Sequence, residues 1–383
     1  MHTSKANHRE TDMLLSPPTF LLRILMCAAL YRTFTRIDAA AYPMQMQAQV
    51  TPQPEQLRPL LFKQSEYALQ RATIMAWPTK HSLRGDDIAQ TRTEIAAIAR
   101  AIALHQHVLM FVHDDKHNIN VDSLWARDTA PSFVVRGREA HELAGVQLNF
   151  NEWGHKTHTT RDARFAKAVN TELKIRPIST WLHMEGGALE VDGQGTFMGT
   201  LSSIVNPNRN KGASQADIEA EMSRLFGIRR FIWLPGTAGI DITDDHVDSL
   251  ARFGPNNTII VAGRNYFLSE KERADYVEGR RILDQAVNFH QQPYRIVEVP
   301  DADFDAFSRK FGEEDDTTLS YVNFALVNGA VLVPSFDDNE ADGKAVAIFR
   351  SLFVDREIVQ IPLQALAQEG GGIHCATQEL PFV

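Results

Sequence analysis

The sequence predicts an α/β protein: five copies of a strand–helix–strand–hairpin unit set pseudo-symmetrically around an axis, as a five-bladed propeller-like ring. Three observations predict it. Short apolar hairpins with turn residues between their strands recur at intervals of roughly 60 residues, a spacing suited to repeated supersecondary units. Amphipathic helix patterns lie between them. A further short apolar strand follows several of the helices. One such unit cannot bury its faces alone, but five stacked around an axis can.

Residues 1–56 stand apart from the repeat as an N-terminal extension and linker. The apolar stretch 20–31 (FLLRILMCAALY) carries Arg23 and is too short for a membrane span. It fits a signal-peptide core with small residues near Ala39–Ala41, the arginine-bearing start of a transit peptide, or a variable extension, the reading preferred here. Residues 44–56 read as a flexible linker. The repeat occupies residues 57–383 as a single domain.

Within the repeat, residues 86–105 put Ile88, Ile95, Ile98 and Ile102 on one helical face, and a strand follows at 107–114. The first hairpin spans 130–150 and the second 186–200. Residues 214–226 form a helix with Ser214 as N-cap and Ile218, Met222 and Leu225 as its apolar stripe, before a strand at 229–235. The third hairpin (246–263) precedes a helix at 270–287 and a strand at 294–300. The fourth (320–336) turns on Asn328-Gly329, a strong two-residue hairpin signal, and leads to a helix at 341–353 and a strand at 357–362. A fifth hairpin begins at 371–383. EGGALEV (185–191) laid over EGGGIHC (369–375) pairs Glu185 with Glu369 and Val191 with Cys375, as if one local shape were used twice.

The net charge of −9 argues against a nucleic-acid partner and suits a cationic ligand. Two cysteines make no disulfide framework, and Cys27 lies in the extension, so Cys375 is expected as a free thiol. There is no CxxC pair, no HExxH and no twelve-residue calcium loop. The mature domain is expected to be cytoplasmic, with no membrane partner; a homo-oligomer stays open.

Polar residues open successive units: Trp125-x-Arg127-Asp128, Glu185-Gly-Gly, His246-Val-Asp248 and His374-Cys375. Pseudo-symmetry would gather them at one end of the axis. A thiol needs a base or a cation to ionise, a histidine can shuttle the proton, and a carboxylate can orient the histidine. Further carboxylates have no task in amide hydrolysis, but they match the planar donors of a guanidinium. Singly, each residue has a plainer reading: Cys375 as a small buried residue, WxRD as a strand-end salt bridge, Asp241, Asp244 and Asp245 as a solvated acidic turn. Their shared placement favours a site.

WARDTAP (125–131), NFNEWGHK (149–156), MEGGALEVDGQGT (184–196), NPNRN (206–210), HVD (246–248), SYVNF (320–324) and GGIHCATQELP (371–381) together resemble the agmatine deiminase and bacterial-type peptidylarginine deiminase family, over roughly residues 57–383. These are guanidino-group-modifying enzymes of the pentein fold, a five-bladed α/β propeller. The resemblance implies Cys375 as nucleophile, His246 as general acid and base, Asp128 and Asp248 gripping the guanidinium, and Glu185 supporting His246 or the substrate. Trp125, Trp153 and Asn151 would line the pocket, and no metal or organic cofactor is implied. The implied reaction takes agmatine to N-carbamoylputrescine and ammonia through an amidino-cysteine, as in putrescine biosynthesis. Peptidyl or free arginine is the alternative substrate. From other classes, a metal-dependent hydrolase would use His183, His246, Asp241 and Asp248, and a non-catalytic ring would only bind guanidino compounds.

Three positions depart from the family pattern: Ala130 for the glycine of RDTGP, Asp245 for the glycine before HVD, and His155 for the second glycine of WGGK. An added carboxylate at Asp245 would suit the distal amine of agmatine.

Overall fold

The structure is a computed structural model that describes residues 61–82, 88–114, 119, 121–136, 142–157, 161–264, 269–312 and 316–383. The extension at 1–56 lies outside the described residues, as does the start of the helix expected at 86.

The described strands form five sheets. In four of them an antiparallel hairpin leads through a helix to a strand parallel to the hairpin's second arm. Ser132–Arg136 pairs with Glu142–Gln147, which runs parallel to Arg176–Ser179. Glu190–Val191 pairs with Thr196–Thr200 and then Arg230–Leu234. Ala251–Gly254 pairs with Thr258–Ala262 and then Arg295–Val299. Ala325–Val327 pairs with Ala330–Ser335 and then Glu357–Pro362. The crossover helices are Phe165–Glu172, Gln215–Phe226, Glu270–Asp284 and Asn339–Leu352. Parallel strands need such crossovers, and this explains why helix and strand alternate in the sequence.

The fifth sheet joins the two ends of the repeat. Gln378–Pro381 pairs antiparallel with Gln70–Ala76, which runs parallel to His107–Phe111 beyond the helix Ile88–Ala103. The hairpin begun at residue 371 thus finds its second strand at the start of the repeat. Leu61–Phe62 adds a fourth strand to the first sheet.

Each sheet buries its inner strand, with Phe133, Phe197, Ile259, Val331 and Ile74 fully buried. Local signals set the helix ends. Ser214 accepts from the N–H of Asp217, whose side chain answers in a capping box, and Gly227 closes that helix at φ 69°. Asp338 caps the helix that begins at Asn339, two residues before the expected start.

The equivalence of EGGALEV and EGGGIHC does not hold in space. Glu185 stands five residues before the strand Glu190–Val191, whereas Glu369 stands nine before Gln378–Pro381 and ends the helix Ala365–Gln368. The structural repeat runs through other residues: Gly187, Asp248 and Cys375 each lie three positions before the first strand of their unit.

Candidate active site

The approaches to the hairpins bring Asp128, Gly187, His246, Asp248 and Cys375 together. Gly187 lies at their centre. A Cβ there would stand 2.6 Å from His246 Nδ1 and 3.0 Å from both Asp128 Oδ1 and Asp248 Oδ2, so the position admits no side chain. Its N–H donates to Asp128 Oδ1 at 2.9 Å.

Cys375 Sγ lies 3.5 Å from Asp248 Oδ2 and accepts from Asn323 Nδ2 at 3.0 Å. Asn323 also accepts the Cys375 N–H through Oδ1 at 3.2 Å, so one amide grips both the backbone and the thiol of Cys375. Burial pushes the thiol well above its ordinary range, and the charges of Asp248 and Asp128 push it further. Without substrate, Cys375 is therefore a protonated thiol.

His246 Nε2 is 3.2 Å from Glu185 Oε2, and its Nδ1 is 3.8 Å from Asp128 Oδ1. Burial works against its charge, but Asp128, Glu185 and Asp248 prevail and lift the imidazole to about 9. Glu185 is fully buried; burial would raise its carboxyl, yet Arg209 and His246 hold it below the usual range. Arg209 Nε donates to Glu185 Oε1 at 2.7 Å, and its Nη1 reaches Asp244 Oδ2 at 2.9 Å. Lys156 Nζ closes this chain 2.8 Å from Asp244 Oδ1. Glu185 is thus fixed on one side by Arg209 and presents its other oxygen to His246.

Asp128 is held by the segment 149–155. Trp153 Nε1 donates to Asp128 Oδ2 at 2.9 Å, and the indole meets Phe150 edge to face. Five residues of this segment, Asn149, Glu152, Trp153, Gly154 and His155, have left-handed φ, an uncommon density of strained backbone. Asn151 stabilises the turn by accepting from the Gly154 N–H and donating to the Asn208 carbonyl. Both ends of its amide are therefore engaged in the loop, which makes it a support for Trp153. Trp125 packs against the other wall: a Cβ on Gly371 would come within 2.6 Å of its ring.

The acidic turn differs from its expected solvated form. Asp244 and Asp245 are both buried. Asp245 Oδ1 pairs with Arg264 Nη2 at 2.6 Å, and its Oδ2 accepts from the Thr237 N–H at 2.9 Å. Both oxygens are committed away from the thiol, which overturns the reading of Asp245 as a partner for a distal amine. Asp245 has φ 70° and His155 φ 62°, conformations that explain glycine at those positions in the family pattern. Ala130 is extended, with φ −78°, and makes no such demand.

The four residues of the metal alternative do not come together. His183 Nδ1 lies 3.1 Å from the Trp181 carbonyl, and Asp241 Oδ1 caps its own turn at the Thr243 N–H. Among the described residues, Glu66, Glu190 and His374 are close enough to share a cation, and the guanidinium of Arg252 sits there, 2.6 Å from Glu66 and 2.9 Å from Glu190.

Sequence reasoning placed Cys375, His246, Glu185, Asp128, Asp248, Trp125 and Trp153 in this region. It missed Asn323 and Arg209 as contributors, although SYVNF and NPNRN were singled out as motifs. A polar residue embedded in an apolar hairpin approach was the available signal for Asn323.

Residues 62–381 match the family model described as Porphyromonas-type peptidyl-arginine deiminase. Agmatine deiminase of Stutzerimonas stutzeri is 30% identical over 350 residues, covering 83% of this chain and 94% of that one. Agmatine deiminase of Pseudomonas aeruginosa is likewise 30% identical over 350 residues, with the same coverage of 83% and 94%. The solved structure of agmatine deiminase from Enterococcus faecalis superposes with a TM-score of 0.73 at 22% identity, covering 84% of this chain and 96% of that one, and shares its mixed α/β fold.

Proposed function

The chain belongs to the Porphyromonas-type peptidyl-arginine deiminase family, and on that premise we propose that it hydrolyses agmatine to N-carbamoylputrescine and ammonia through Cys375. The observation that carries this reading is a neutral thiol set against two carboxylates, Asp128 and Asp248, beside a protonated histidine. In such a site burial and the two carboxylates keep the proton on sulfur, and a cation is needed to oppose them. A guanidinium between Asp128 and Asp248 supplies the cation and opposes the charges that keep the thiol protonated.

In the proposed sequence, the Cys375 thiol releases its proton to solvent as the guanidinium binds, and sulfur attacks the guanidinium carbon. His246 gives its proton to the leaving nitrogen, the C–N bond breaks, and ammonia departs from an amidino-cysteine. His246, now neutral, takes a proton from water as the water attacks the same carbon. The C–S bond then breaks and the remaining hydroxyl proton passes to the departing sulfur, restoring the thiol and leaving a neutral ureido product. Glu185 orients His246, and Trp153 and Gly187 orient Asp128. Asn323 donates to sulfur in its anionic state, where a hydrogen bond is strongest.

Agmatine is favoured over arginine because it carries no carboxylate to be neutralised. Arg127, next to Asp128, pairs with Glu379 at 2.6 Å and Glu66 at 3.1 Å. Arg209 and Lys156 are likewise taken by Glu185 and Asp244. The relatives described above are agmatine deiminases as well. We further read the five sheets as the blades of an α/β propeller, residues 57–383 as one catalytic domain, and the enzyme as cytoplasmic, where a small diffusible substrate is at hand. Among the described residues no helix is long and apolar enough to cross a membrane.

Ammonia release is the test, from agmatine, arginine and an arginyl peptide, with wild type and Cys375→Ala. Turnover of agmatine that Cys375→Ala abolishes is expected. Preference for arginine or the peptide would overturn the substrate assignment, and activity surviving in Cys375→Ala would overturn the mechanism.

A further inference from the structure

We propose that His374 is a positioning residue for this reaction: clamped between Asp248 and Glu66, it fixes Asp248 so that one carboxylate oxygen is left for the substrate guanidinium. The proposal rests on the deiminase reading of the same site.

His374 precedes the proposed nucleophile in sequence, and it is 1% exposed. Its Nδ1 lies 2.7 Å from Asp248 Oδ2, and its Nε2 lies 2.7 Å from Glu66 Oε1. Both partners are carboxylates, so both ring nitrogens donate, and the ring carries a positive charge. The surroundings balance only with that charge. Lys63, Arg127 and Arg252 supply three cations to this cluster, against the four carboxylates of Glu66, Glu190, Glu379 and Asp248. His374 is the fourth cation.

The consequence for the site lies in the two oxygens of Asp248. Oδ2 is tied to His374, while Oδ1 is buried and has no hydrogen-bond partner. A buried carboxylate oxygen without a donor is costly unless a ligand supplies one. Burial would raise the Asp248 carboxyl, but the hydrogen bond and charge of His374, with those of His246 and Arg252, keep it ionised and below the usual range. The charged or titratable groups around the pair are Glu66, Glu190, Arg127 and Arg252 on one side, and Cys375, His246 and Asp128 on the other. The nucleophile's own strand approach therefore anchors the carboxylate that faces the nucleophile.

The test is His374→Gln, with Glu66→Gln as a second variant that keeps the imidazole and removes one charge. Agmatine affinity, measured by calorimetry in a Cys375→Ala background, is expected to fall about tenfold in His374→Gln, as expected when a charge-assisted contact is lost. The acid limb of kcat/KM is expected to move to higher pH, because burial then acts on Asp248 with less opposition; Glu66→Gln moves it the same way by less. A purely structural role would lower the melting temperature and move neither quantity. Folded variants with unchanged affinity and an unmoved acid limb overturn the proposal. If His374→Gln does not fold, an unmoved limb in Glu66→Gln does so. Wild type inactive on agmatine, arginine and arginyl peptide would instead overturn the deiminase reading, and this inference with it.

Discussion

Glu185→Gln separates the proton on His246 from the shape of the site. The imidazole rises from its ordinary 6.5 to about 9 although burial opposes its charge. At about 1.4 kcal/mol per pH unit, that preference for the charged form is about 3 kcal/mol. Asp128, Glu185 and Asp248 supply it between them, and Glu185 makes the sole direct hydrogen bond among the three, at 3.2 Å. Removing its charge should cost about a third of the total, lowering the histidine by about one pH unit. Gln keeps an oxygen for Arg209, which also retains Asp244, so the fold survives. The assay is the pH profile of kcat/KM on agmatine. Wild type should lose activity above about pH 9 as the acid that protonates the leaving nitrogen disappears. In the variant the alkaline limb should fall near pH 8, an added loss of about fivefold at pH 9 relative to pH 7. An alkaline limb that stays in place in a folded Glu185→Gln would refute the assignment of the proton to this pair. The linkage has a sign: a histidine raised on folding stabilises the protein fully below about 6.5 and loses that contribution as pH rises through about 9. Wild type should therefore lose stability to urea across that window, and Glu185→Gln should lose less of it.

Asn323→Ala should slow agmatine turnover by about a hundredfold while leaving the melting temperature within a few degrees, since the donor to Cys375 Sγ is lost; Asn323→Asp should be worse, and alkylation of the thiol by iodoacetamide reports both. Trp153→Phe keeps the contact with Phe150 but removes the donor to Asp128 Oδ2, so KM for agmatine should rise about tenfold. Gly187→Ala should fold yet be inactive, because its Cβ would press on His246, Asp128 and Asp248 together; measurable turnover at more than about one per cent of wild type would contradict the crowding read there. Asp245→Asn should leave KM for agmatine unchanged and lower the melting temperature, since Asp245 holds Arg264 and the Thr237 N–H.

The architecture was legible because its signals are local. Four hairpins, the helices between them and the strands after them follow from apolar period, turn residues and caps, all of which act within a few residues of one another. The unit Phe165–Glu172 and Arg176–Ser179 was not read, because its strand is mostly exposed and carries Arg176 and Pro177 in place of an apolar run. The residues proposed as catalytic were legible for a different reason: they open successive units, so a repeat recognised in sequence predicts their convergence. What stayed hidden was the direction of each side chain. Asp245 adjoins His246 in sequence, but with φ 70° it turns its carboxylate toward Arg264. His374 adjoins Cys375, and it too turns away, into the cluster of Glu66 and Arg252. In both places sequence adjacency to a residue proposed as catalytic misleads, because the backbone turns there and neighbouring side chains take different partners.

That division of partners explains how the fold can make so acidic a pocket without falling apart. On the pocket side, Asp128 and Asp248 act on a neutral thiol, Glu185 holds His246, and His246 is a cation that can move its proton. Supporting them, Arg209 holds Glu185 through Oε1 and His374 holds Asp248 through Oδ2, each hydrogen-bonded to one oxygen of its carboxylate. These two carboxylates keep their charge through those partners, and Asp248 Oδ1 is left without a donor. Asp128 is the exception: its two oxygens take neutral donors, Trp153 Nε1 and the Gly187 N–H, and burial leaves its carboxyl above the usual range. It is thus the member of the set with most to gain from an arriving guanidinium. Asp128→Asn should accordingly cost more in agmatine affinity than any substitution among the supporting cations, a ranking that calorimetry in the Cys375→Ala background measures directly. An Arg209 variant that binds agmatine more weakly than Asp128→Asn would mean that the support, and not the charge of Asp128, governs binding.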